Sequence, residues 1–427
     1  MGVGLREARA HVTERRGGAV MLFCGVDASD QSLDFHLRDA GGKVLVEGRV
    51  PPSVAGLDEM LAKLGAFAPP GEIAIALETA HAAYVQTMLD RGYVVYPVNP
   101  RTAAHFREAL SVSGEKSDRI DGKVLAMFLA TFHAELRPLR PDAPEIIALR
   151  IGCEDRVRLV EERVAKINEL QAILKVYYPA VLELFGDLTS QTALSFLEEF
   201  PTQKQMQALT PRQFKGFLRR QSYTHSQRLE EMLTHLHQPA LSVADHLQQA
   251  KAHRLVYLVR SIRTINAELA ARDEEIDQHF GGMPEADWIR SLPRAGRTLA
   301  PALLACFGRD PDRFRDAGQA RALLGTAPVT KASGRSSSVH MRRGCWKFAR
   351  RTLQFFAEQT ILHGGWPRVF YDEYRARGHG YHAALRAVAH KWVKIILAMK
   401  RTGSRYDEEV FLHSRRQHLS REAVGMT

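Results

Sequence analysis

Two short apolar runs, each closed by a carboxylate, constrain this chain more than any other feature. Asp27 ends the run Val20-Met21-Leu22-Phe23-Cys24-Gly25-Val26, and Glu78 ends Ile73-Ala74-Ile75-Ala76-Leu77. Runs of this length and composition read as buried strands. A carboxylate at the end of a buried strand stands at the edge of a sheet, where open α/β folds place their chemistry. Two more acids, Asp118 and Asp121, sit three apart just ahead of an Ala/Leu/Met/Phe-rich segment. On a helix, that spacing turns both the same way. Four such groups can hold Mg²⁺ or Mn²⁺, hard cations that prefer oxygen ligands. Paired metals of this kind catalyse phosphodiester cleavage and transfer.

The surrounding pattern supplies the sheet. Leu33, Phe35 and Leu37 alternate with polar residues, Asp39-Ala40-Gly41-Gly42 makes a turn, and Val44, Val46 and Val50 resume. Three consecutive antiparallel strands are expected, the first ending in Asp27. A helix through 57–64 leads to the strand 73–77, a helix over 83–89 to a strand over 93–98, and Asn99-Pro100 closes that strand. The order β-β-β-α-β-α-β-α is that of RNase-H-like domains, and it puts Asp27 and Glu78 on neighbouring central strands. An α/β RNase-H-like domain is therefore expected over 19–144, after a basic lead-in at 1–18.

With 427 residues, two or three domains are expected. Lys and Arg outnumber Asp and Glu by 59 to 48, a formal +11, which favours a polyanionic partner such as DNA although a membrane surface would also attract it. No apolar stretch approaches the ~20 residues of a spanning helix. The first twenty residues carry Arg6, Arg9, Arg15 and Arg16 with no apolar signal-peptide core. A soluble cytoplasmic protein with no membrane partner is expected. Cys24, Cys153, Cys306 and Cys345 are scattered with no CxxC pair, so neither a zinc site nor a disulfide framework is supported.

Beyond Pro138, Pro141 and Pro144, strand patterning ends. Apolar residues from Ile147 to Leu174 recur near helical spacing, and a second long helix is expected from about 255 to 276. Two helices running out and back make a coiled-coil-like arm over 145–282; an ordinary helical domain is the plainer reading. A mainly helical C-terminal domain is expected over 283–402, followed by a basic tail at 403–427. Near its start, Leu292-Pro293-Arg294-Ala295-Gly296-Arg297 resembles the turn of a helix-hairpin-helix element. There Gly296 would let a phosphate approach the backbone and Arg294 and Arg297 would add charge.

Next comes Lys331-Ala332-Ser333-Gly334-Arg335 followed by three more serines. From Lys331 to Arg351 there are seven Lys/Arg and no acid. Lys331, Arg335, Arg342, Arg343 and Lys347 are candidate nucleic-acid contacts. In so positive a field Ser333 suits two jobs: a nucleophile attacking a phosphodiester, or part of a loop that only grips phosphate. His340 is close enough in sequence to be considered as a base. Lys391, Lys394, Lys400 and Arg401 read as the charged face of a final helix, with Arg405, Arg415 and Arg416 in the tail.

Taken together, these segments resemble the IS110/IS116/IS902 family of bacterial insertion-sequence transposases, over nearly the whole chain and in the same order. Gly25-Val26-Asp27, Leu77-Glu78-Thr79 and Lys116-Ser117-Asp118-Arg119-Ile120-Asp121 match an N-terminal DEDD domain similar to the junction resolvase RuvC. Leu292-Pro293…Gly296, Ala327-Pro328…Ser333-Gly334 and Arg343-Gly344 match the C-terminal transposase domain. The resemblance implies Asp27, Glu78, Asp118 and Asp121 as ligands of Mg²⁺ or Mn²⁺, and Ser333 as a nucleophile linking covalently to DNA. It also implies an element-encoded guide RNA and a homo-oligomer, dimer or tetramer, in which acidic and serine domains of different subunits complete one site. Asp30 stands where the family usually has lysine, Gly122 where it has alanine, and Arg294 where it has a small residue. The alternatives are a junction-resolving metal nuclease using water alone, and a non-catalytic DNA-binding protein.

Overall fold

A computed structural model describes residues 21–78, 82–110, 118–223, 228–236, 243–334 and 336–413. The lead-in 1–18, Thr79, Lys116-Ser117, Arg335, Arg415 and Arg416 lie outside them, as do the side chains of Asp118 and Arg119. The chain divides into two compact units, Met1–Pro141 and Asp142–Thr427.

The first unit is a mixed five-stranded sheet with helices on both faces. Strands β1 (Leu22–Ala28), β2 (Leu33–Arg38) and β3 (Val44–Val50) form an antiparallel meander, and β4 (Ile73–Leu77) and β5 (Val94–Pro97) run parallel to β1. The spatial order is β3-β2-β1-β4-β5. Asp27 and Glu78 thus belong to adjacent central strands, as the sequence order implies. The pleat sends alternate residues to opposite faces. Leu22, Cys24, Val26, Ile73 and Ile75 meet helices α1 (Val54–Gly65) and α2 (Ala82–Asp90) on one face. Phe23, Ala74 and Ala76 meet α3 (Pro100–Leu110) and α4 (Asp118–Phe132) on the other, through Ala103, Leu125, Phe128 and Leu129. The small residues on the second face let α4 lie close. A Cβ at Gly25 would stand 2.1 Å from the Gly122 carbonyl oxygen and 2.4 Å from the Ala126 nitrogen. Only glycine fits under that helix. The arrangement is compatible with an RNase-H-like fold.

The second unit is mostly helical. Helices α5 (Pro144–Tyr177) and α11 (Asp245–Gly281) pack antiparallel, since Arg156 meets Asp273, Arg163 meets Asn266 and Arg254 meets Glu169. At 1.5 Å per residue each is about 50 Å long. Short helices α6 (Ala180–Leu184), α7 (Gln191–Glu199), α8 (Gln203–Gln207), α9 (Pro211–Arg220) and α10 (Leu229–Leu236) form a head at one end. Its core joins Phe196, Phe214 and Phe217 to Leu170 and Leu174 of α5 and Leu255 and Leu258 of α11.

At the other end Ile146, Leu149, Ile276 and Phe280 enter a second core. That core is shared with α12 (Ala286–Arg290), α13 (Gly296–Phe307), α14 (Ala317–Leu323), α15 (Lys347–His363), α16 (Gly365–Ala376) and α17 (Tyr381–Thr402). Trp392 anchors it: fully buried, it donates to Thr360 Oγ1 at 3.0 Å and packs on Phe356 and Trp366. The serine segment, read from sequence as loop, is instead a β-ribbon, β6 (Val329–Ser333) with β7 (Ser336–His340). Among the described helices none is long and apolar enough to cross a membrane.

Candidate active-site residues: an acidic sheet end and a serine ribbon

Asp27 lies one step beyond the Val26–Leu77 pair that ends the β1–β4 ladder, and Glu78 directly follows β4. By alternation both belong to the face covered by α4, and both are half-buried. Asp121, on the first turn of α4, is 7% exposed, and its neighbour Gly122 lies against Gly25 and the Asp34 carbonyl. The backbone of Asp118 begins the same helix. The backbone therefore gathers all four predicted acids at one end of one sheet face. Among the described residues, however, no three acid, histidine or cysteine side chains converge as a formed metal cluster. Asp121 is ion-paired within the chain: Arg107 Nη1 of α3 lies 2.7 Å from Asp121 Oδ1, a pair largely shielded from solvent. The donor chemistry nonetheless fits a hard divalent cation, because every predicted ligand offers carboxylate oxygen.

Sequence reasoning missed a fifth acid. Asp34 of β2 is the cross-strand partner of Asp27, and Arg49 of β3 is in turn the partner of Asp34. Directly opposite residues share a face. Asp34 is 5% exposed and accepts from Arg49 Nε at 2.9 and 3.1 Å and from Ser32 Oγ at 2.8 Å. The available signal was the alternation in β2, which sends Asp34 and His36 to the same side. His36, in the next row, is paired with Glu47 at 3.3 Å. Burial depresses its basicity, and Glu47 offsets part of that loss.

The serine site is of another kind. Ser333 pairs with Ser336 beside a turn at Gly334, whose φ of +55° is the left-handed backbone that two-residue hairpin turns require. Every described residue from Thr330 to His340 is exposed, Lys331 and Ser333 included. Lys331 shares the face of Ser333, one pleat repeat away, opposite Ser338. His340 does not reach Ser333: it is paired with Val329 at the root and engages Ser338 Oγ at 2.9 Å. Four residues of strand separate it from Ser336, about 13 Å. It is not placed as a base.

The root is held firmly. Thr326 and Ala327 donate their N–H groups to Arg321 O, and the Trp346 N–H to Leu323 O. Trp346 Nε1 donates to Glu154 at 3.0 Å, with the Arg150 and Arg313 guanidiniums 5.2 and 6.0 Å from its ring. Arg342 donates to Ala327 O at 3.3 Å, while Arg343 and Lys347 are exposed.

In the turn before α13, Arg294 has φ +61° and Gly296 +54°, and both are exposed. A left-handed arginine is a locally strained choice. Arg297 is already bound within the chain, to Glu274 at 3.1 Å and Asp277 at 2.9 Å, and those bonds raise its basicity further. The reading of Lys400 as part of a charged outer face is corrected. Its Nζ is part-buried and donates to the Phe307 and Asp310 carbonyls, because the free carbonyls at and just beyond the C-terminal end of α13 need donor partners.

Comparison with known proteins places these features in one family. Residues 24–179 match the model of the DEDD transposase domain of IS110, and residues 286–372 match that of transposases of the IS116/IS110/IS902 family. The IS117 mini-circle protein of Streptomyces coelicolor, described as a candidate transposase, is 29% identical over 76% of this chain and 80% of its own. The 42 kDa protein of insertion element IS900 from Mycobacterium paratuberculosis is 26% identical over 90% of this chain and 97% of its own. The 44.8 kDa protein of IS116 from Streptomyces clavuligerus is 27% identical over 89% and 94%. Proteins of this class are transposases, DNA-cutting and rejoining enzymes. The chain belongs to the IS110/IS116/IS902 family of insertion-sequence transposases.

Proposed function

We propose that this transposase transfers DNA strands with a RuvC-like acidic site and a serine nucleophile, guided by an RNA from its own element. The observation that carries the reading is the register that sets Asp27 beside Glu78 at one end of the face covered by α4. Asp27, Glu78, Asp118 and Asp121 would hold Mg²⁺ or Mn²⁺, which when bound supplies charge stabilisation for the transferring phosphoryl group.

Ser333 is the nucleophile. Its Oγ attacks phosphorus, a P–O(serine) bond forms as one P–O(DNA) bond breaks, and the serine proton ends on the released DNA hydroxyl. Attack by a second DNA hydroxyl reverses the exchange, so strands rejoin without external energy. Lys331, Arg342, Arg343 and Lys347, with Arg294 and Gly296 of the strained turn, form the basic surface for the phosphate backbone. Arg335 lies outside the described residues. The net +11 suits a DNA–RNA partner pair. Ser333 and the acids lie in different compact units, and the site is completed between chains of a dimer or tetramer. The setting is the cytoplasm.

Trapping on nicked suicide DNA is the test. A detergent-resistant protein–DNA adduct mapping to Ser333 is expected with Mg²⁺ or Mn²⁺. Cleavage without an adduct would instead assign a water-using junction resolvase, and neither cleavage nor adduct a binding protein.

A further inference from the structure

We infer that Arg107 is a built-in counter-ion of the metal site, occupying Asp121 until a divalent cation displaces it. This rests on the acidic site proposed above and adds the device that regulates its filling. The guanidinium Nη1 is 2.7 Å from Asp121 Oδ1, with the two side chains only 17% and 9% exposed. A carboxylate so shielded is costly to leave uncompensated, so a resident cation stabilises the metal-free protein. Neighbouring charge sharpens the need: Asp34 already has its own cation in Arg49, whereas Asp121 has Arg107 as an ion-pair partner from a different helix. A carboxylate oxygen bound bidentately or head-on by arginine cannot offer the same lone pair to a metal. Metal entry therefore exchanges one cation for another on Asp121, and the Arg107 side chain is what is released.

The exchange is measurable with Mn²⁺ alone as the probe. Free Mn²⁺ is read by electron paramagnetic resonance on the full-length protein, and melting temperature is taken with and without metal. Arg107→Gln should bind Mn²⁺ roughly tenfold tighter, the lower end of what one opposite charge at this range does to a carboxylate's affinity for a proton. Its metal-free melting temperature should fall, and saturating Mn²⁺ should recover most of the loss. Arg107→Lys, which keeps the charge without the fork, should lie between, and serves if Arg107→Gln does not fold. Lys123→Gln removes an exposed charge from α4 without touching Asp121 and should leave affinity unchanged.

Equal or weaker Mn²⁺ binding by both Arg107 variants overturns the inference, as does an equal gain in Lys123→Gln, which would mark a diffuse field effect. Failure of the underlying site looks different: wild-type Mn²⁺ binding would then be absent or would survive Asp27→Asn.

Discussion

The two candidate sites are built on opposite plans. The acidic end is framed: its acids are carried by sheet strands and a covering helix whose backbones the Gly25–Gly122 contact holds close, with Asp34 and Asp121 already given cations. The serine site stands in solvent on a two-stranded ribbon about 17 Å long and is fixed only at its root. Crowded charge requires a rigid frame, because displacing one carboxylate changes the field at all the others. A nucleophile that must meet DNA held elsewhere gains more from reach. The contrast predicts that substitutions at the ribbon tip act on chemistry alone, whereas those at the acidic end act on chemistry, metal binding and stability together.

The largest effect is expected from Ser333→Ala. Recombination and adduct formation should fall by at least ~10³-fold in a gel assay, since no other group can take over a missing nucleophile. Melting temperature should not change, because Ser333 is exposed. Ser336→Ala, directly across the ribbon, should keep adduct formation; if it too abolishes the adduct, the assignment of the nucleophile to one strand is wrong.

Next in size is the pair Asp27→Asn and Asp121→Asn. Both should abolish strand transfer while DNA binding persists, and calorimetry without metal should separate them. Asp27→Asn removes a charge opposite Asp34, so stability should hold or rise. Asp121→Asn strips Arg107 of its partner, and a loss of about 1–3 kcal/mol is expected. Undiminished recombination by Asp27→Asn would remove the acidic site from the mechanism.

Mixing should give a smaller, partial signal. Asp27→Asn and Ser333→Ala proteins, each inactive, should regain a fraction of activity together if one chain's acids serve another chain's serine. Proven co-assembly without recovery would favour a site within one chain.

Much of the acidic end was legible in sequence, and the reason is physical. A buried strand writes its length as an apolar run, so Asp27 and Glu78 were marked by the ends of Val20–Val26 and Ile73–Leu77, and the β1–β4 register follows. Asp34 and Arg107 were not legible. Their roles depend on cross-strand and helix–helix neighbours; the alternation in β2 gives the side on which Asp34 lies but not its partners, and no local pattern marks Arg107. The ribbon was missed for a related reason. Its described residues from Thr330 to Val339 are exposed on both faces, so no apolar alternation announces strands. The turn glycine was visible, but not the ladder around it.

The smallest expected effect tests whether the ribbon's precision resides in its root. His390 of α17 contacts Arg321, whose carbonyl accepts from Thr326 and Ala327 at the start of the ribbon. Burial is the main cause, and Arg321, Lys394 and Lys391 add to it, in lowering the His390 pKa to about 4; the backbone at Thr326 acts the other way. The folded value lies below the ordinary 6.5, so the unfolded chain binds the extra proton more readily. The stabilisation is complete above pH 6.5 and is lost as pH falls toward 4. After allowance for solvent at a half-buried group, the loss should be about 1–2 kcal/mol. His390→Gln should flatten that slope in melting curves taken between pH 7 and 4. Adduct yield should follow the same slope if a loosened root misplaces Ser333. A wild-type adduct yield that ignores the transition would show that the ribbon's aim is set by bound DNA rather than by its anchor.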